Sequence, residues 1–167
     1  MRLSVSSTKS GAILDGRGPE ITQTGLDRLV TLVTMFLLAE TKKRTPQGVY
    51  GAQGGLLGSI QEEVKGKGTP VIKGVVMSAQ KYAEPIEKGR ASGKSWPPEG
   101  SLVRWIEVKF GVDNVTAKRL EFVVRRKIGR KGFPGAHMFE RAATENTGRI
   151  DAMAAAEGFK IAVELES

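Results

Sequence analysis

From Leu26 to Leu37 the residues Leu26, Leu29, Val30, Val33, Phe36 and Leu37 recur at helical spacing, which predicts a helix beginning near Thr22–Thr24 and ending by Thr45. Thr24 and Asp27 stand three apart like a capping box, and Pro46 closes the far end. Lys42, Lys43 and Arg44 sit in the last turn, where cations favour the helix dipole. Ahead of it, residues 1–19 offer only Leu3, Val5, Ile13 and Leu14 to bury, so an arm is expected, with Leu3 and Val5 able to seed an edge strand. Two strands are predicted next, about Leu57–Lys65 and Val71–Ala79, joined by the turn Gly66-Lys67-Gly68-Thr69-Pro70. The second is apolar on both faces, with Val71, Val75 and Met77 opposite Ile72 and Val76. That pattern fits burial on both sides, or burial on one side and a subunit contact on the other.

Residues 90–100 hold two adjacent prolines and two glycines, which forbids a helix or a central strand. Ser101 is expected to cap a short helix whose Leu102, Trp105, Ile106 and Phe110 line one face. A helix over Thr116–Ile128 should turn Leu120, Val123, Val124 and Ile128 inward, and another over His137–Ala156 is weakened by Gly148. Phe159, Ile161, Val163 and Leu165 then alternate with Lys160, Ala162, Glu164 and Glu166, a period of two that predicts a final strand. The order implies an α+β fold, with helices packed on a small, mostly antiparallel sheet of three or four strands. It is organised as an N-terminal arm (1–19) and a single domain (20–167) with extended loops.

Composition narrows the chemistry. The 167 residues are 40% hydrophobic and 26% charged, as in one ordinary globular domain. There is no cysteine and a single histidine, His137, so disulfide scaffolds and thiolate metal sites are excluded and no metal or cofactor is expected. The longest apolar run, Leu29–Ala39, falls short of the roughly 20 residues that cross a bilayer, and the N-terminus lacks a signal-like apolar core. A soluble protein made in a cytoplasm, without a membrane partner, is the expectation. Tyr82, Glu84 and Glu87 could suggest acid–base chemistry, but no nucleophile or oxyanion donor set accompanies them, and no catalytic residue is expected. The glycine-rich stretch Gly48–Gly58 lacks the Gly-Lys-Ser/Thr ending of a phosphate-binding loop.

The net charge is +8, and one stretch, 116–132, is strongly basic. Lys118, Arg119, Arg125, Arg126, Lys127, Arg130 and Lys131 face only Glu121 in their stretch. They could form a solvated face, contact an acidic partner or DNA phosphates, or belong to a small basic DNA-binding protein working through helices 101–132. Trp96, beside Pro97 and Pro98, suits an interface anchor or a side chain folded back on the domain's own helices. With Tyr82, Val75, Met77, Leu3 and Val5 it completes the interface candidates.

Three separated patches resemble one known family. Gln53-Gly54-Gly55-Leu56-Leu57-Gly58-Ser59-Ile60 is similar to its Thr-Gly-x-Leu-x-x-Ser-Ile entry into a hairpin, with Gln53 in place of Thr. Tyr82-Ala83-Glu84-Pro85-Ile86-Glu87-Lys88-Gly89 resembles its Tyr-Ala-x-x-x-Glu-x-Gly segment. The block from Gly132 to Ala142 resembles its late Gly-x-x-x-x-x-hydrophobic-hydrophobic-x-x-Ala block. The family is the tail-component, or head–tail joining, family of long-tailed bacteriophages, also called neck or tail-completion proteins. The stretch Trp96–Lys131 is a larger insertion than its shortest members carry. The resemblance implies a virion structural protein without catalytic residues, assembled in the bacterial host cytoplasm. It implies a ring of identical subunits, commonly six, coaxial with the DNA channel. Its implied partners are head connector, adaptor or stopper proteins and the tail terminator or tail tube protein, with genomic DNA passing through.

Overall fold

A computed structural model describes residues 11–13, 15–48 and 55–166. Its elements are α1 (Gly18–Arg44), α2 (Gly55–Ser59), β1 (Ile60–Lys65), β2 (Lys73–Ser78), α3 (Ala83–Lys88), β3 (Gly89–Arg90), α4 (Val103–Phe110), α5 (Asn114–Lys131), β4 (Phe133–Pro134), α6 (Met138–Thr144) and α7 (Thr147–Glu166). The α+β class holds. The strands do not share one sheet, however; they form two separate pairs, β1 with β2 and β3 with β4. The described residues divide into two compact units, with boundaries inside α1, β1 and β2. One takes the chain up to Phe36, Glu62–Val75 and the residues from Asn146; the other takes the described parts of Leu37–Gln61 and Val76–Glu145.

In the first unit α1 lies against α7. Helix α1 starts at Gly18, several residues before the capping pair expected of Thr24 and Asp27. Pro19, in the first turn, suits a helix start because its missing N–H is not needed there. Asp27 instead takes Gln23 Nε2 at 3.0 Å and the Gly68 amide of the hairpin turn at 2.8 Å. Thr22, Thr31 and Thr34 return their hydroxyls to the carbonyl four residues back, so each threonine is satisfied within its own helix. By length and composition α1 is the one helix among the described residues apolar enough to span a bilayer, a property the uninterrupted run alone did not reveal. Here its Arg28 pairs with Glu157 at 2.7 Å and Glu164 at 2.9 Å, and a β-carbon on Gly25 would overlap Ile161 of α7.

The tail is therefore a helix, and the expected final strand is overturned. The inward positions are Glu157, Ile161, Glu164 and Leu165, spaced four, three and one, as one helical face requires. Phe159 and Val163, which a strand would have buried beside Ile161 and Leu165, are 72% and 50% exposed. The break before α7 falls at Glu145–Asn146, where the Asn146 carbonyl accepts from Arg149 and Ile150, and not at Gly148.

The second unit holds two hydrophobic clusters. Leu56, Ala83 and Met138 form one, with Ile86 and Phe139 against it. Each of the three family-like patches contributes to it. Leu57–Ser59 belongs to α2, not to the expected strand; burying Leu56 on a helical turn lets Ile60 start β1 fully buried. The second cluster, Val103, Ile106 and Ala117 with Leu102, Val112 and Val124, joins α4 to α5. Ser101 does not cap α4; its hydroxyl donates to the Pro98 carbonyl at 2.6 Å. Helix α5 starts at Asn114, capped by Asp113, which accepts the Thr116 amide at 3.1 Å. It turns Ala117, Glu121 and Gly129 inward, while Leu120 and Val123 are exposed, contrary to expectation.

Between these clusters Gly89 pairs with Pro134 and Arg90 with Phe133. At Gly135 a β-carbon would overlap the Glu87 carbonyl oxygen, a backbone atom that cannot swing aside. Gly135→Ala should therefore lower stability by roughly 2–4 kcal/mol, read as a shift of the denaturation midpoint at unchanged slope. A loss below about 0.5 kcal/mol would show that the two backbones separate easily.

At the end of α1, Glu40 is buried and accepts from Arg44 Nη1 and Lys43 Nζ, each at 2.6 Å. Arg44 foremost, then Lys43, holds the Glu40 carboxyl down from 4.5 to about 2. A depressed folded value means the stabilisation is complete above 4.5 and drains as pH falls toward 2. The melting temperature should drop across that window, and Glu40→Gln should shallow the drop while leaving an acceptor for Arg44. An unchanged acid limb in Glu40→Gln would assign the loss to other carboxylates.

Candidate interaction surfaces

The second unit's loop 91–102 is fastened to α5 by buried polar contacts. Glu121 is 4% exposed and accepts the amides of Gly100 at 3.0 Å and Leu102 at 2.9 Å. Arg125 donates from Nε to the Pro97 carbonyl at 2.8 Å, with Glu99 4.0 Å from its Nη1. Trp96 lies edge-on to Phe122, ring centres 5.6 Å apart, and over Gly129, where any β-carbon would meet the indole. Of the two roles open to Trp96, this is the folded-back one, although 40% of the residue is still exposed. Gly93 donates its amide to the Gly129 carbonyl at 2.9 Å.

The seven cations thus separate. Arg125 is spent on the loop, whereas Lys118, Arg119, Arg126, Lys127, Arg130 and Lys131 are exposed, and none pairs with a carboxylate among the described residues. Val115, Phe122 and Val123 are exposed between them. On α4, Trp105 and Phe110, expected to share one face with Leu102 and Ile106, meet edge-to-face at 5.9 Å and are both exposed, whereas Ile106 is buried.

The carboxylates near Tyr82 are engaged structurally. Glu84 pairs with Lys88 at 2.8 Å, which holds its carboxyl below the ordinary value. Glu87 caps α6, accepting from the amides of Phe139 and Glu140, each at 3.1 Å. Tyr82 itself is exposed at the start of α3. His137 adopts a left-handed backbone, φ 50°, and its Nδ1 lies 2.8 Å from Glu140 Oε2. Among the described residues no three His, Asp or Glu side chains gather as a metal site would need.

Compared with known proteins, the chain matches no family model, no curated protein and no solved structure.

Of the remaining interface candidates, Val75 is half-buried in the first unit, Met77 is exposed in the second, and Leu3 and Val5 lie outside the described residues. Sequence reading missed Glu121 as the loop's anchor. Its signal was available: the one acid in a basic helix. Gly129, inside the same helix at a cost of about 1 kcal/mol relative to alanine, was a second sign of close approach. Glu121→Ala should release the loop, cost roughly 2–3 kcal/mol, and expose the Gly100 and Leu102 amides to exchange. Retained protection of those two amides would mean that Trp96 and Arg125 hold the loop without it.

Proposed function

We propose that this chain is a structural subunit of the junction between head and tail of a long-tailed bacteriophage. It assembles with copies of itself into a ring, as the family it resembles commonly does with six, and works without catalytic residues or cofactor. It sits in the neck, assembled in the host cytoplasm. There it contacts a head connector, adaptor or stopper on one side and the tail terminator or tail tube on the other.

The observation that carries this reading is exposed apolar surface. Seventeen large apolar side chains are exposed among the described residues, whereas only five larger than alanine are fully buried, so the chain presents extensive apolar surface that partners could cover. Burying half of the seventeen would release on the order of 10 kcal/mol. Association costs about 4–15 kcal/mol, so one contact between two copies is marginal. A closed ring gains one extra contact for the same number of associations, which favours closure once a head-to-tail contact exists. The convergence of the three family-like patches on the cluster of Leu56, Ala83 and Met138 adds support, because shared residues then describe a shared core.

Native mass spectrometry of the concentrated chain, with antibody-labelled electron microscopy of phage particles, tests the reading. A single ring-sized species and label confined to the head–tail joint are expected. A monomer at every concentration combined with a single copy per particle, or label along the tail or on the head shell, would overturn it.

A further inference from the structure

The stretch 91–132 leaves and re-enters the fold through one doorway. Arg90 and Phe133 are paired across β3 and β4, and a β-carbon on Gly132 would overlap the Arg90 carbonyl oxygen. Between those ends lies a cluster of its own, Val103, Ile106 and Ala117, drawn wholly from the inserted residues, as are Leu102, Val112 and Val124 around it. The buried ties of Glu121 to Gly100 and Leu102, and of Arg125 to Pro97, also begin and end within the insertion. The other cluster of this unit, Leu56, Ala83 and Met138, takes nothing from it. An element with its own core and adjacent ends can be present or absent without re-routing the rest of the chain.

Its outward surface is specific in composition. Val115, Arg119, Phe122, Arg126 and Arg130 follow one another on α5 at intervals of four, three, four and four, which places them on one helical face, with Val123 beside them. Val115 is 58% exposed and Val123 60%, and the only acid of the helix is Glu121, on the opposite, buried side. Arginine interleaved with aromatic and aliphatic residues is the composition of a protein-contacting surface. A face for DNA phosphates gains from its cations and nothing from Val115, Phe122 and Val123, which would be pressed against a charged backbone. The uncompensated positive charge sets the sign of the partner. Guanidinium groups in a row at helical spacing match carboxylates displayed along a helix.

We propose that residues 91–132 form a self-cored docking module, and that the outward face of α5 takes an acidic amphipathic helix of a partner protein. This goes beyond the ring and does not depend on it, because the module would dock such a helix in any assembly.

The test uses the full chain and two probes. One is a synthetic helical peptide about 27 Å long, the length of α5, with leucines along one face flanked by glutamates. The other is a DNA duplex of similar length. Three variants accompany the native chain: Arg119→Glu/Arg126→Glu/Arg130→Glu, Val115→Ser/Val123→Ser, and an excision joining Arg90 to Phe133 through an Asn-Gly turn. The substituted side chains are exposed, so circular dichroism and melting should match the native chain.

The peptide should bind the native chain and lose affinity on the order of tenfold or more in both substituted variants. The excised chain should stay folded and bind nothing. Tighter binding of the duplex, insensitive to Val115→Ser/Val123→Ser, would make the face a phosphate contact and overturn the proposal. Absence of binding to either probe would make it a solvated face and overturn it equally. Unfolding of the excised chain would refute the self-cored module.

Discussion

At Gly89, Gly132 and Gly135 two stretches of backbone approach more closely than any β-carbon permits, and the organisation of the second unit depends on that approach. It seats the Glu87 carbonyl and carboxylate against the start of α6, where they accept the amides of His137, Phe139 and Glu140. It draws Ala83 and Ile86 on one side, and Met138 and Phe139 on the other, around Leu56. It also brings Arg90 beside Phe133, so that everything between them must form a closed excursion. Glycine at these positions is a steric requirement, and the strain taken up by His137, at φ 50°, sits at the same crossing.

Away from that crossing, polar groups do much of the fastening that apolar groups do in a larger core. Glu40, Glu121 and Glu157 are buried acids, each satisfied by cations or by backbone amides. Buried carboxylates of this kind specify geometry more than they add net stability, since desolvation offsets much of their attraction. Several large apolar residues are correspondingly exposed: Phe110 and Phe122 within 91–132, Phe159 and Val163 on α7, Met35 and Leu32 on α1. The assembly proposed above would cover that apolar surface.

Elements with a single strong period were legible in the sequence. Helix α1, the hairpin of β1 and β2, and the succession of α4 and α5 all follow from apolar spacing. The tail was misread because Phe159, Ile161, Val163 and Leu165 satisfy a period of two while their burial follows the helical one. Contacts far away in sequence decide between them: Ile161 against Gly25, 136 positions away, and Glu157 and Glu164 on Arg28. The inward face of α5 was misread for a different reason. Its buried residues are Ala117, Glu121 and Gly129, two small and one charged, which a search for hydrophobic stripes passes over. Apolar spacing conceals the exposed face proposed to dock a partner in the same way, because it places Val123 in the core, whereas Val123 is exposed beside that face.

If the exposed apolar side chains are contacts of the proposed assembly, they must be covered when it forms. Hydroxyl-radical footprinting of the isolated chain and of phage particles measures this side chain by side chain. Met35, Phe110, Phe122 and Phe159 should react readily in the isolated chain and most of them should be shielded in the particle, while Ile106 and Met138 stay protected in both. Equal reactivity of the four in both states, or protection of all four already in the isolated chain, would contradict it.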